Sequence, residues 1–346
     1  MCQIYQSIRF ILIALSATLI VVACQPAAVE KPTEVTADCR IVNHELGETQ
    51  ICGQPQKVAV ISPRILDSML ALGVQPTAFA QAVSPGIEVF DNPTEQIPYI
   101  GKWVTTQPIG LGSRNTPSLE RLKQLQPDLI MGEPWQSGFS KVMNQIAPTL
   151  FFNDAQDPNE IGSWQQDITE IARALGKEGA VNNVLAQHEA QIAQARAALQ
   201  PVLKAYPRIS LITANVEMTQ LKSGFDTSLA RLLEEIGFEV LLPPGYTGNS
   251  SIALSWEIIP SIDSDLMIVA AWDSDLALNP EDSTPQNSMR DQWAQNPLLN
   301  SMPTFQQGRV IFVDYYLSGG VTRGPLSDQV ILESLPDLLL RTVKAA

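Results

Sequence analysis

The residues of this sequence best suited to binding a small molecule are aromatic and arginine side chains that lie beside short apolar runs. Trp135 follows the run that ends at Met131, Trp272 follows residues 266–271, and Arg323 lies in a predicted loop near the C terminus. Aromatic rings provide flat apolar walls, and a guanidinium provides rigid donors for an oxygen-rich, anionic surface. These three side chains are therefore the leading candidates for a ligand site.

Further candidates follow predicted strands or lie in loops that could close the same cleft. They are Ser62, Arg64, Trp103, Asn153, Asn215, Glu217, Tyr315 and Tyr316. In open α/β sheets, ligands bind beyond the carboxyl ends of the strands, so these positions are expected to line one site. No histidine or carboxylate trio falls among them, and we therefore expect no metal ion held directly by the protein.

The elements that must position these residues alternate between strand and helix patterns. Short β-branched runs and amphipathic stretches alternate over residues 57–152 and again over 208–340, which is typical of βαβ units in a mostly parallel sheet. The sequence therefore predicts an α/β protein with two Rossmann-like lobes. The predicted helices in these two segments span residues 64–72, 118–125, 227–236, 256–262 and 329–340.

A long helical pattern separates the two segments. Over residues 177–203 apolar side chains recur with a spacing of three and four, and no Gly or Pro lies between Gly179 and Pro201. Such a helix would be about 40 Å long. We interpret it as one rigid helix that bridges the lobes, with an ordinary core helix as the alternative.

The two lobes share a sequence phrase. Residues 117–131 and 254–269 each read as a capped helix that leads into a strand, with Glu120 and Glu257 in the first helical turn. Acidic residues are favoured there by helix capping and by the helix dipole, so a purely structural role remains open for both.

The N terminus has the pattern of an export signal. Arg9 precedes an apolar run over residues 10–22, and Val21-Val22-Ala23-Cys24 resembles a bacterial lipobox. We expect residues 1–23 to be a lipoprotein signal peptide and Cys24 to be lipidated, with a plain cleavable signal as the alternative. Residues 24–38 read as a flexible tether.

Two of the four cysteines remain after this processing. Cys39 and Cys52 flank two short strand patterns around a turn at residues 45–48. In an oxidising compartment such a pair predicts a disulfide that staples a hairpin, and its loop length corresponds to about 3 kcal/mol.

Composition and charge exclude several function classes. With 346 residues, 45% hydrophobic and 17% charged, the chain is globular and of about two-domain size. The net charge of −14 argues against nucleic-acid partners, which require basic surfaces. Two histidines and no CxxC motif offer little for a zinc site.

An enzyme was considered as well, because two Rossmann-like lobes also build glycosyltransferases. The sequence has no Gly-x-Ser-x-Gly or Walker motif, and residues 110–112 lack the third glycine of a dinucleotide-binding fingerprint. Asp263 and Asp265, and also Asp273 and Asp275, could bind a divalent ion, but aspartate is common in turns of this kind. We therefore expect no catalysis.

Four segments together resemble the iron-siderophore and cobalamin substrate-binding proteins of ABC importers. They are residues 57–76, 118–131, 229–238 and 307–314, and the likeness extends over residues 39–340. It implies a class III periplasmic binding protein: two Rossmann-like lobes joined by a rigid helix of the helical-backbone type, with the ligand between them. The implied organisation is an N-terminal lobe at 39–158, a helical connector at 159–205 and a C-terminal lobe at 206–346.

The resemblance also implies a function and partners. The expected function is to bind a ferric siderophore and deliver it to an ABC permease dimer and its ATPase, with cobalamin and haem as alternative ligands. Glu120 and Glu257 match acids that dock such proteins onto permease arginines. We expect a monomeric membrane lipoprotein facing the periplasm or the cell exterior, which uses no cofactor and binds no nucleic acid.

Overall fold

The structure is a computed structural model that describes residues 38–82, 86–152, 164–246, 252–272 and 284–344. The side chains of residues 272, 284, 285 and 344 are outside this description. The predicted signal peptide, nearly all of the tether, Cys24, Asn153, Asp273 and Asp275 also lie outside it. Of the helices described, none combines the length and apolar character required to cross a membrane.

An antiparallel hairpin opens the described chain. Strands β1 (Cys39–His44) and β2 (Gly47–Cys52) pair with Cys39 opposite Cys52, and a disulfide joins these two residues. Arg40 on β1 donates hydrogen bonds to the carbonyls of Arg173 and Ala174 at the end of a later helix. The hairpin thus places a positive charge at the carboxyl end of that helix, where the helix dipole makes such a charge stabilising.

The first sheet has five parallel strands in the order β5-β4-β3-β6-β7, with a helix in each connection. The strands are β3 (Val58–Val60), β4 (Ala78–Gln81), β5 (Ile109–Ser113), β6 (Leu129–Gly132) and β7 (Thr149–Phe151). The helices are α1 (Pro63–Ala71), α2 (Pro93–Gln96), α3 (Leu119–Leu125) and α4 (Ser140–Met143). Because all five strands run in the same direction, the segments that follow them emerge at one edge of the sheet.

The second sheet has six strands in the order β11-β9-β8-β12-β13, with β10 also paired to β8. The strands are β8 (Arg208–Asn215), β9 (Leu221–Ser223), β10 (Glu239–Leu241), β11 (Ala253–Leu254), β12 (Leu266–Trp272) and β13 (Val310–Asp314). Strands β10, β12 and β13 run parallel to β8, whereas β9 is antiparallel to it and forms a hairpin that the sequence pattern did not predict.

Helices connect the two sheets and cover the second. They are α5 (Trp164–Leu175), α6 (Val181–Ala198), α7 (Gln200–Ala205), α8 (Ser228–Ile236), α9 (Thr284–Gln295), α10 (Pro297–Asn300), α11 (Pro303–Gln306) and α12 (Pro325–Lys344). The helix predicted as uninterrupted over 177–203 is instead divided. It starts with a 3-10 turn, Glu178–Ala180, and breaks at Leu199 between α6 and α7.

Proline accounts for the break. Pro201 has no N–H to donate, and its ring would clash with the carbonyl four residues earlier in a continuous helix. It therefore lies in the first turn of α7, where a missing donor costs little. The 18 residues of α6 span about 27 Å rather than the predicted 40 Å.

Two helices join the hydrophobic cores of the two sheets. On α6, Val184 belongs to the core of the first sheet and Ile192 to that of the second. On α12, Leu326 packs against the first core, while Ile331 and Leu335 lie in the second. The lobes are thus bridged by α6, and the final helix forms a second bridge that the sequence did not predict.

Local capping signals account for three helix starts and one helix end. The Ser62, Ser118 and Thr227 side chains accept the backbone N–H three residues later, at the starts of α1, α3 and α8. Helix α8 ends before Gly237, whose φ of 120° is open to glycine and strained for other residues. The helices predicted at these three places are confirmed.

The helix predicted over residues 256–262 is wrong. This segment forms turns followed by a short 3-10 helix, Ile259–Ser261. Pro260 would clash with the carbonyl of Trp256 in an α-helix, and the preceding Ile258 and Ile259 are β-branched. The shared phrase therefore gives an α-helix in the first lobe and only a turn in the second.

Candidate ligand-binding site

The carboxyl ends of the two sheets come together at one place. Gln81 at the end of β4 and Tyr316 just after β13 line the same small cavity. Tyr99 from the first lobe donates its hydroxyl to the Asp314 carboxylate, the last residue of β13. The segments that follow the strands of both lobes are therefore neighbours, which is the expected position of a ligand site in such folds.

On the first lobe, the side chains available to a ligand are those of Trp135 and Arg114. Trp135 lies in the 3-10 helix Pro134–Phe139 after β6 and is 50% exposed. The Arg114 guanidinium lies 5.5 Å from the centre of its ring, and 3.9 Å from the Glu133 carboxylate. A cation over an exposed indole forms a surface that is both apolar and positive.

On the second lobe, Tyr315 and Arg323 lie in the segment that follows β13, and both are partly buried. Burial and the neighbouring Asp226 raise the pKa of Tyr315, whereas Arg323 and Arg114 act in the opposite direction. The charges of two guanidinium groups, one from each lobe, thus act on one phenol. Among the described residues Arg323 has no ion-pair partner.

Tyr316 has a different role from Tyr315. Its ring is 7% exposed and stacks on Tyr99 at a centroid distance of 5.8 Å, so it belongs to the contact between the lobes. Burial raises the pKa of Tyr316 to about 12. Burial and the carboxylate of Asp314 raise the pKa of Tyr99 further. Both phenols remain protonated at physiological pH.

Ser62 and Arg64 follow β3 as predicted, but the structure places them beneath the site. The Ser62 hydroxyl donates to Glu133 at 2.6 Å. The Arg64 side chain is 4% exposed and contacts Glu133 at 3.4 Å, Asp167 at 3.2 Å and the Phe152 carbonyl. Because its donors are already used by protein acceptors, we reassign Arg64 from ligand contact to support of Glu133.

Asn215 and Glu217 close the turn between β8 and β9. The Asn215 amide donates to Glu217 at 2.7 Å and to Thr219 at 2.8 Å, and its carbonyl accepts the Gln220 N–H at 2.7 Å. Both polar ends of Asn215 are therefore engaged in the turn, while Glu217 is exposed at the edge of the cleft. The structure supports a turn-forming role for Asn215 rather than ligand contact.

Trp103 does not join the other candidates. Its carbonyl accepts a hydrogen bond from Gln75, which precedes β4 and so lies at the amino end of the first sheet. The indole packs against the first core with the Lys102 ammonium 4.2 Å from its ring centre. The backbone of Trp272 ends β12 at the expected edge, and its side chain lies outside the described residues.

Two residues of the site were missed in the sequence. Arg114 follows β5, whose two glycines gave it no strand pattern, and Tyr99 lies in an irregular segment. The signal that could have found Arg114 is its position between two βα units, where a fifth strand was needed to complete the sheet.

Two cavities among the described residues are not themselves the ligand site. The one between the lobes, lined in part by Tyr316, is about 20 Å³, too small for a chelate. The larger one, about 300 Å³, is a groove between α6 and α12 formed by residues such as Gln194 and Glu333. The cleft is instead defined by the strand ends. Among the described residues no cluster of three His, Cys, Asp or Glu side chains could hold a metal ion.

Comparison with known proteins agrees with this architecture. The model of the family described as periplasmic binding protein matches residues 58–317. The chain belongs to the periplasmic binding protein family, and its fold is that of the class III members. It is therefore an extracytoplasmic binding component of solute import and not an enzyme.

Individual relatives are more distant. The chain is 25% identical over 279 residues to the Fe(3+)-citrate-binding protein YfmC of Bacillus subtilis, and this alignment covers 80% of this chain and 79% of YfmC. It is 24% identical over 318 residues to the petrobactin-binding protein YclQ of the same organism, covering 89% and 92%. The crystal structure of Staphylococcus aureus SirA with staphyloferrin B aligns with a TM-score of 0.66 and 19% identity, over 87% of this chain and 98% of SirA.

Proposed function

We propose that this protein binds a ferric siderophore between its lobes and delivers it to an ABC importer. The observation that carries the proposal is the pair of arginines, Arg114 and Arg323: both charges act on Tyr315, and the Arg114 guanidinium lies 5.5 Å from the centre of the exposed Trp135 ring. A chelate that is oxygen-rich and anionic suits this combination of flat apolar surface and fixed positive charge.

The iron ion is cargo enclosed by its chelator in this proposal, so the protein supplies no ligand to the metal. The names of the relatives support the ligand class, since YfmC is named for Fe(3+)-citrate, YclQ for petrobactin, and SirA was crystallised with staphyloferrin B.

Tryptophan fluorescence titration tests the ligand class. The panel is Fe(III)–citrate, a ferric catecholate, a ferric hydroxamate, cobalamin, haem and free Fe(III). We expect at least one ferric chelate to bind tightly and free Fe(III) to bind weakly. Tight binding of cobalamin or haem, with failure of every ferric chelate, would retain a transport role and overturn the siderophore assignment.

Substitution of the two arginines tests the site. Arg323→Ala and Arg114→Ala should each weaken binding of the chelate found in the panel ten- to about a thousandfold, which corresponds to about 1–4 kcal/mol. Arg173→Ala is the matched control, because Arg173 pairs with Glu170 on α5, away from both strand edges. If all three variants bound the chelate with the same affinity, the proposed cleft would be contradicted.

We further propose that Glu120 and Glu257 dock the lobes onto the permease dimer. Both side chains are exposed, and both follow strands near the carboxyl edge of their sheets. A backbone hydrogen bond and the Ser255 hydroxyl lower the pKa of Glu257, so its charge is maintained. Charge reversal at both should abolish uptake and leave chelate affinity intact. Normal uptake by the double variant would return these residues to local structural roles.

The proposal also includes a lipid anchor at Cys24 and a monomeric protein. Cys24→Ala should release the protein from the membrane fraction, because each buried CH₂ of a lipid chain contributes about 0.8 kcal/mol. Unchanged mass and membrane partition would rule out the anchor. Sedimentation of the chain without its first 38 residues should give the mass of one copy.

A further inference from the structure

We infer that Asp67 is a positioning residue for the ligand site: from the first lobe it fixes the segment of the second lobe that carries Tyr315 and Arg323. We call residues 314–327 the binding segment. The inference rests on the proposed function only in taking Tyr315 and Arg323 as ligand contacts. It concerns how the two lobes set the geometry of one another.

Asp67 lies on α1 and is fully buried. Its Oδ1 accepts the Leu326 N–H at 2.8 Å, and its Oδ2 accepts the Ser327 N–H at 2.8 Å and the Ser327 hydroxyl. These two amides belong to the first turn of α12, which has no helical partners for them. A carboxylate from one lobe therefore caps a helix of the other, and its charge suits the positive end of the helix dipole.

The residue that separates Arg323 from this helix has no room for a side chain. A Cβ at Gly324 would lie 2.3 Å from Cγ of Asp67 and 2.4 Å from Oδ1, well inside contact distance. Arg323 thus lies one residue from a point where the backbone presses directly against the Asp67 carboxylate. Displacement of that carboxylate would move the backbone that carries the arginine.

The other end of the binding segment is held by the first lobe as well. Tyr99 donates to Oδ2 of Asp314, and Oδ1 of Asp314 accepts the Leu317 N–H at 3.1 Å. Between these ends, a Cβ at Gly320 would lie 2.6 Å from the Tyr315 phenol, so the ring rests on the segment itself. Because the first lobe holds the binding segment at both ends, the first lobe positions the part of the site that the second lobe contributes.

Asp67→Asn is the sharpest test because it keeps the shape and removes one acceptor. One carboxylate oxygen becomes an NH₂ group that faces an N–H of α12, and two donors cannot satisfy each other. Asp128→Asn is the matched control. Oδ2 of Asp128 also accepts two consecutive backbone amides, those of Gln56 and Lys57, each at 2.8 Å, but at the amino end of the first sheet.

Hydrogen exchange of the ligand-free protein gives a readout that a general loss of stability would not reproduce. Asp67→Asn should increase exchange in peptides that cover 314–327, while α6 keeps its protection. Asp128→Asn should leave 314–327 unchanged. Gly324→Ala should reproduce the Asp67→Asn pattern if the latter variant does not fold. Unchanged exchange over 314–327 in the folded variant, or an equal increase throughout the chain, would overturn the inference.

Affinity for Fe(III)–citrate supplies a second readout through a double-mutant cycle. If Asp67 acts through Arg323, Asp67→Asn should weaken binding about tenfold or more in the wild-type background and much less in the Arg323→Ala background. Additive losses would mean that Asp67 does not act through Arg323. If Arg323→Ala leaves Fe(III)–citrate affinity unchanged while exchange over 314–327 responds to Asp67→Asn, the positioning stands and the arginine site fails for that chelate.

Discussion

The buried carboxylate of Asp328 provides the strongest prediction about stability. It has no solvent exposure, and its Oδ2 contacts the Arg231 guanidinium at 2.6 Å, the His188 ring at 3.1 Å and the Trp164 indole N–H at 2.8 Å. These partners lie on α8, α6 and α5, so one carboxylate on α12 connects four helices. Asp328→Asn keeps the shape but removes one of the two charges that compensate the partly buried Arg231, which also pairs with Glu235 at 2.8 Å.

The expected loss of unfolding free energy is about 3–5 kcal/mol, the range observed when one partner of a buried ion pair is removed. The chain contains a matched control. Asp263 contacts Arg208 at 2.7 Å, nearly the same distance, but its side chain is 89% exposed, and Arg208 also pairs with Asp265. Exposed pairs contribute little, so Asp263→Asn should be indistinguishable from wild type.

The pH dependence of this loss has a defined sign. Burial raises the pKa of Asp328, but Arg231, His188 and Trp164 lower it by more, and the net direction is down. A carboxyl whose pKa is lower in the folded state contributes stability above its unfolded pKa, near 4, and loses it as the pH falls through the folded value. The difference between wild type and Asp328→Asn should therefore be full at pH 7 and shrink below about pH 4.

Urea unfolding of the ligand-free protein at pH 7 and at lower pH, followed by circular dichroism, measures these values. The comparison is between Asp328→Asn and Asp263→Asn at equal m-value, so that the difference in midpoint reports stability. Equal losses in the two variants would refute the reasoning, since burial is what distinguishes the two pairs. If the difference in stability between wild type and Asp328→Asn grew as the pH fell, the direction assigned to the pKa of Asp328 would be refuted.

Three further predictions concern other parts of the chain. Cys39→Ser with Cys52→Ser should lower the unfolding free energy by about 3 kcal/mol and leave chelate affinity unchanged, and a loss of affinity alone would contradict a structural role. Arg64→Met should cost about 3–5 kcal/mol in urea unfolding because its side chain is 4% exposed and ion-paired. If affinity fell with no change in stability, Arg64 would be a ligand contact after all. Because burial raises the pKa of Tyr316 to about 12, stability should fall as the pH rises from about 10 to 12, and Tyr316→Phe should remove absorbance at 295 nm only in the last part of an alkaline titration.

Elements with strong local signals could be predicted from the sequence. Ser118 and Thr227 begin helices because their hydroxyls accept free amides of the first turn, and this depends on neighbours in the chain alone. The buried strands β8 and β12 were recognisable from their apolar runs. Where local signals conflicted, prediction was wrong: the stretch 256–262 has helical periodicity, but Pro260 prevents the helix.

The division of the candidate site residues into contacts and supports was not available from the sequence. Arg64 and Arg323 are both arginines near predicted strand ends, and only the fold shows that Arg64 pairs with Glu133 and Asp167 whereas the charge of Arg323 acts on Tyr315. An arginine's role depends on which acceptors surround it, and those come from distant parts of the chain.

The sequence alone determined the α/β class and the two-lobed plan, because hydrophobic period, capping and turn residues act over a few positions. The tertiary structure decided which side chains meet across the lobes: Asp67 with the start of α12, and Tyr99 with Asp314. Such pairs are separated by more than 200 positions, and no local pattern encodes them. Their geometry follows from how two sheets and two bridging helices pack, since burial of apolar surface has no direction and the polar contacts select one arrangement.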